Sequence, residues 1–264
     1  MASLGEQTVG STVKLNVNGA AMNFIVVHQG LPSSVYDSSC DGTWLLMEDC
    51  YIKRTYGGSE NNYGNSDLHS YLNNTFYNLL DSDIKEFVKH VKIPYVPVRT
   101  SEAVTGSNGL STKVFVLSLT EVNVTPASYA KIEGSVLSYF NGADSSKRIA
   151  KYNGTATNWL LRSPMTNVGT RVWYITKTGS NGPVAITTSY GVRPALVLPY
   201  ELNVSEDGFM DGSVASSGGI SGQVPINGVM CELTGEGYIN INGVLCPISD
   251  SGVNIGGILN SAKG

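Results

Sequence analysis

The chain has 264 residues, with 17 Lys and Arg against 21 Asp and Glu for a formal net charge of -4. Only 14% of its residues are charged, against roughly 25% in an average soluble domain, while 71 are Ser, Thr or Asn, so neutral polar groups carry its solubility. This balance argues against a nucleic-acid binder, which needs clustered Lys and Arg, and no apolar run approaches the ~20 residues of a membrane-spanning helix.

The start, Met1-Ala-Ser-Leu-Gly-Glu6, lacks the basic and apolar segments of a signal peptide. Free, buried thiols are therefore expected for Cys40, Cys50, Cys231 and Cys246, with Cys40/Cys50 and Cys231/Cys246 as the disulfide alternative. Thr12–Val17 alternates, Asn18-Gly19 is a two-residue hairpin signal, and Met22–His28 answers as the partner strand. Thr43–Met47 is a continuous apolar run suited to a strand buried on both faces. Ser66 caps a helix whose stripe is Leu68, Tyr71, Leu72, Phe76 and Leu79. A second helix follows Asp81-Ser82-Asp83, with Glu86 completing a capping box, Ile84, Phe87, Val88 and Val91 as its apolar face, and Pro94 and Pro97 beyond it.

Residues 99–112 are expected as a polar loop and Lys113–Leu119 as a strand. Val136–Phe140 is helix-like, and Asn141-Gly142 and Asn153-Gly154 are turns. An array of strands follows at Asn158–Arg162, Arg171–Thr176, Val184–Thr188 and Val192–Leu198, with a hairpin turn over Gly179–Gly182. Residues 205–223, rich in Gly, Asp and Ser, are expected as a linker. Beyond them Ile226-Asn-Gly-Val-Met-Cys-Glu-Leu233 is repeated as Ile241-Asn-Gly-Val-Leu-Cys-Pro-Ile248 at an offset of 15 residues. Two such strands form a unit too small to stand alone, which points to packing on the main domain or on another chain.

Catalytic and metal patterns do not emerge. His28, His69 and His90 show no metal-ligand spacing, and there is no Gly-x-Ser-x-Gly, Walker or Gly-x-Gly-x-x-Gly motif. Capping accounts for Asp81 and Asp83, Glu48 and Asp49 point to opposite faces of a strand, and Asp37, Asp41 and Asp49 lack the spacing of a calcium loop. No cofactor, metal or catalytic residue is assigned. Residues 158–199 instead interleave Trp159, Trp173, Tyr174 and Tyr190 with Arg162, Arg171, Lys177 and Arg193 among many small polar residues, a composition that binding loops favour. Trp159 and Trp173 are expected in a sheet core, with Tyr174 on the face opposite Trp173.

Thr157-Asn-Trp-Leu-Leu-Arg-Ser-Pro164, then Val172-Trp173, then Ser189-Tyr-Gly-Val-Arg-Pro-Ala-Leu196 resemble the "NWWLRSP … VW … YGVRPAL" pattern of an uncharacterised family common in gut Firmicutes and their phages. Thr43–Met47, Leu68–Phe76 and Ile84-Lys85 extend the likeness to about residues 8–204. The resemblance implies an α+β, C-type-lectin-like fold distantly similar to formylglycine-generating enzymes, whose "GFR" segment corresponds to Gly191-Val192-Arg193. Those enzymes need a cysteine pair that this chain lacks between Cys50 and Cys231, so the oxidase activity is not carried over. It also implies that residues 165–189 stand in the place of a variable ligand surface, with Asn167, Thr170, Arg171, Tyr174, Thr176, Asn181 and Thr187 exposed.

The resulting expectation is a C-type-lectin-like domain at 1–204, a linker at 205–223 and a small β-hairpin attachment unit at 224–264. Its function is that of a non-enzymatic, oligomeric phage virion protein, assembled in the bacterial cytoplasm. It adheres to a host-surface or mucus ligand or decorates the capsid or tail, and residues 224–264 contact other virion structural proteins. Nucleic acid and membrane insertion play no part. The alternative is a bacterial sugar-binding module or a relative of formylglycine-generating enzymes.

Overall fold

A computed structural model describes residues 2–97, 101–125, 128–142 and 144–214 with their side chains, and six backbone strands between 222 and 260. The chain divides into two compact units, Met1–Ser213 and Val214–Gly264.

The first unit is α+β and mostly sheet. Ten strands build two five-stranded sheets: β1 (Thr12–Val17), β2 (Ala20–Gln29), β3 (Thr43–Met47), β4 (Ile52–Arg54), β5 (Val114–Phe115), β6 (Trp159–Pro164), β7 (Arg171–Ile175), β8 (Asn181–Ala185), β9 (Tyr190–Val192) and β10 (Ala195–Leu198). One sheet runs β1-β2-β3-β10-β5 and the other β8-β7-β6-β9-β4. All pairs are antiparallel except β6 with β9, where Trp159 faces Gly191.

Local chemistry explains the first hairpin. Asn18 and Gly19 take φ of 54° and 74°, the left-handed pair of a tight two-residue turn, and β1 and β2 pair in register around it. Every residue of β3 is buried, as its apolar run predicts. Trp44, its second residue, meets Tyr36 and Phe115 edge-on at 5.5 Å each.

The helical segment begins where Ser66 accepts a hydrogen bond from the His69 N–H. One α-helical turn, α1 (Asp67–Ser70), widens into π-helix over Tyr71–Phe76 and tightens over Tyr77–Leu79. Asn73 stitches this run to β5: its Oδ1 accepts from Lys113 N and Val114 N, and its Nδ2 donates to Val114 O.

Several expectations need correction. The second helix is a single turn, α2 (Ser82–Lys85), and the Asp81 side chain bonds Asn16 instead of capping it. Val91 leaves the helix for a strand, Val91–Ile93, paired with Leu110–Thr112, so the stretch expected as loop contains a β-ribbon. Of Lys113–Leu119 only β5 is strand; the following residues leave for the second sheet, where Arg162 N bonds Leu117 O at 3.0 Å. The stretch Val192–Leu198 is split, because β9 and β10 lie in different sheets and cross at Arg193-Pro194. The third strand of the array is shifted to β8. Residues 205–213 fold back on β1 through Lys14 N to Gly208 O and Met210 N to Lys14 O, so they belong to the first unit. Cys40 and Cys50 are free and buried, and burial pushes both thiols up to about 12.

The second unit contains the hairpin Gly222–Ile226 with Val229–Leu233 and a four-stranded meander, Tyr238–Ile241, Val244–Ser249, Gly252–Ile255 and Ile258–Asn260. Ile226 pairs Val229, Ile241 pairs Val244 and Ile255 pairs Ile258. Ile255-Gly-Gly-Ile258 is thus a third, more diverged copy of the repeat, which the sequence pattern alone does not single out. The side chains of Cys231 and Cys246 lie outside the described residues.

Candidate functional site

A buried polar network anchors β6. Arg162 is fully buried and gives two hydrogen bonds of 2.6 Å to the equally buried Glu121, one from each terminal nitrogen. Its Nε and Nη1 also donate to Pro94 O and Val116 O. Tyr36 donates to Glu121 at 2.8 Å, and Ser163 donates to Glu133, which also accepts from Val96 N. Such a charge pair is tolerable in a core only when the remaining donors and acceptors are satisfied. Arg162 is therefore a structural anchor and no part of a binding surface, contrary to its place in the binding-loop composition read from residues 158–199. Burial raises the pKa of Glu133, against the opposing pull of Arg162.

From this anchor the chain emerges into residues 165–171, and Asn61 holds that loop. Its side-chain amide donates to Met165 O, Val168 O and Arg171 O at 3.0, 3.1 and 2.7 Å, and its backbone N–H to Gly169 O at 2.8 Å. Asn61 is itself 2% exposed. Nothing local in Glu60-Asn61-Asn62 signals this role, since its partners lie more than 100 residues away.

The structure separates the seven candidate residues. Asn167, Thr170, Arg171 and Thr187 are exposed at the open end of the β7–β8 hairpin, where Ile186 N bonds Thr170 O. Thr176 and Asn181 are half-buried at its turn end, roughly 13 Å away along the strands. The Thr176 hydroxyl is used within that turn, accepting from Ser180 N. Tyr174 is half-buried with its ring 4.8 Å from that of Tyr190, over the bare backbone of Gly182. These three are not freely exposed: the Tyr174 ring is covered by Tyr190 and Gly182, and the Thr176 hydroxyl is taken up by its own turn.

Trp159 and Trp173 are in the core, as expected. Sequence reasoning missed Tyr129, an aromatic that is 49% exposed and whose carbonyl accepts from Thr166 N at 2.8 Å. It borders the 165–171 loop. An isolated Tyr in a polar stretch has no period to mark it.

The histidines are scattered: His28 meets Ser138, His69 lies against Tyr63, and His90 meets Ser111. Burial lowers the pKa of His28 and His69. Among the described residues no group of three His, Cys, Asp or Glu side chains converges as a metal site, and no helix is long and apolar enough to cross a membrane.

No curated protein and no solved structure shows a significant match to the chain. Residues 41–200, more than half of its length, match the domain family DUF6273, described as a domain of unknown function, and they span the sheet junction, the anchor and the hairpin. The chain therefore belongs to the DUF6273 family.

Proposed function

We propose that the chain is a non-enzymatic binding protein of a bacteriophage particle, displaying a ligand surface on a C-type-lectin-like form of the α+β fold. The single observation that carries the binding reading is the open end of the hairpin. There Asn167, Thr170 and Arg171 stand exposed on a loop that Asn61 clamps and the Arg162–Glu121 pair anchors, with Thr187 exposed beside it on the segment after β8. A surface ordered before binding loses less entropy on capture of a ligand. Its neutral polar groups, one Arg and the neighbouring Tyr129 suit hydrogen bonding and stacking to a host-surface or mucus glycan or protein. The sequence resemblance and the strand repeat support virion placement, with residues 224–264 attaching the chain to other virion proteins in an oligomer.

Mass spectrometry of purified particles tests the placement; absence of the chain from them overturns it. Binding is tested on a glycan array and on mucin. The double variant Asn167→Ala/Thr187→Ala should lose at least about tenfold in affinity while folding stability stays within about 0.5 kcal/mol. Unchanged binding by the folded variant would remove this surface from consideration.

A further inference from the structure

A second site lies where the two sheets exchange strands. Residues 48–51 carry β3 into β4 and Arg193-Pro194 carries β9 into β10, so the two crossings meet. Arg193 is 1% exposed. Its Nε donates to Met47 O at 2.8 Å and its guanidinium carbon lies 5.2 Å from the centre of the Trp159 ring. Its Nη1 is buried with no hydrogen-bond partner, and no described carboxylate forms an ion pair with it.

The contrast with Arg162, equally buried but bonded through all three of its nitrogens, is direct. A buried guanidinium short of partners is unfavourable unless an anion completes it. Burial pulls the pKa of Arg193 down, while Cys50, Tyr139, Asp49 and Glu48 act in the opposite sense. Cys50 is no counter-ion, because its thiol is held neutral by a pKa near 12.

Arg193 forms part of the wall of a cavity of about 520 Å³, shared with Glu48, Asp49, Tyr139, Lys147, Ile149 and Lys151. Glu48 and Asp49, expected on opposite faces of a strand, instead lie beyond the end of β3 in the crossing segment, which lets both line this one cavity. That volume is within the usual range for small-molecule sites. Three cations face two carboxylates, so one further negative charge balances the cavity. Glu48 Oε2 is engaged by Asn23 and Asp49 Oδ1 by Lys151 N, which leaves the other oxygen of each carboxylate as an acceptor. A phosphate dianion overcompensates that single charge and offers few donors to the free carboxylate oxygens, whereas a monoanion that brings its own donors satisfies both. Tyr139 and Ile149 offer apolar surface to the body of a sugar ring.

We propose that this cavity binds a singly charged carboxylate ligand bearing hydroxyl groups, the chemistry of a hexuronic acid, with its carboxylate on Arg193 and its hydroxyls donating to Glu48 and Asp49. The cavity shares no residue with the open end of the hairpin, so this site does not rest on the reading of that end. D-glucuronate, D-glucose and inorganic phosphate are titrated into the full chain by isothermal calorimetry. Glucuronate should bind at least about tenfold more tightly than either control. Arg193→Lys keeps the charge, loses the planar fork and should weaken glucuronate by about tenfold or more. Ile149→Trp, at a position 38% exposed, fills the cavity without touching the buried charge; it should abolish binding and leave the melting temperature unchanged. Glucose binding as tightly as glucuronate, phosphate binding more tightly, or an unchanged affinity in Ile149→Trp overturns the proposal. Absence of binding up to about 10 mM glucuronate does so as well.

Discussion

Glu133 accepts hydrogen bonds from Val96 N and the Ser163 hydroxyl in a region where Arg162 already has Glu121 as its partner. A second buried carboxylate beside a neutral ion pair is the group whose proton is linked to folding. Burial raises its pKa above the ordinary 4.5, so the folded protein holds the proton more tightly than the unfolded chain does. The stabilisation from that proton is complete below the unfolded value and is lost as pH rises through the raised folded value. Glu133→Gln keeps an acceptor for Val96 N and removes the titration. Urea unfolding from about pH 4.5 upward should show the wild type losing stability relative to the variant, by at most about 1.4 kcal/mol per pH unit. Parallel curves would mean that the proton on Glu133 plays no part in folding.

At the scale of elements, the 165–171 loop depends on a side chain contributed from more than 100 residues earlier in the sequence. Asn61→Ala removes the donors to three carbonyls at once. The loss should be about 1–3 kcal/mol of stability, with faster hydrogen exchange confined first to residues 165–171. Unchanged exchange there would show that the loop is held by its own turns. The limits of sequence reading lie in the same place. The Asn18-Gly19 turn, the Ser66 cap and the apolar run of β3 are legible because each is written in a few adjacent residues. The Arg162–Glu121 pair joins positions 41 residues apart, and the Asn61 clamp spans 104 to 110, so neither leaves a local pattern. The exposure of Asn167, Thr170, Arg171 and Thr187 was foreseeable from a family resemblance. The partial burial of Tyr174 was not, because it follows from the Tyr190 ring that the sheet brings against it from a strand that is not its direct neighbour.

At the scale of the molecule, the boundaries of the family match and of the folded unit differ, and the difference has a physical consequence. The match covers residues 41–200, whereas the first unit runs Met1–Ser213. Val13, Leu15, Val17, Phe24, Val26 and Val27 lie before residue 41 and are fully buried, and β2 pairs with β3 along most of its length. Leu202, Val204 and Met210 lie after residue 200 and are buried too. Ala2–Ser3 pairs with Asn203–Val204, and Leu4 N bonds Leu202 O at 2.7 Å, so the two ends of the unit close on each other. Burying each large aliphatic or aromatic side chain contributes roughly 1.5–3 kcal/mol, and the net stability of a domain is about 5–15 kcal/mol. Nine such residues exceed that margin, and a fragment of residues 41–200 should therefore remain unfolded, without near-ultraviolet dichroism or a cooperative melt. A fragment of residues 1–213 keeps every strand of both sheets and should melt cooperatively within about 4 °C of the full chain, the shift that roughly 1 kcal/mol produces in a domain of this size. Loss of that transition in residues 1–213 would mean that residues 214–264 supply part of the first unit's core.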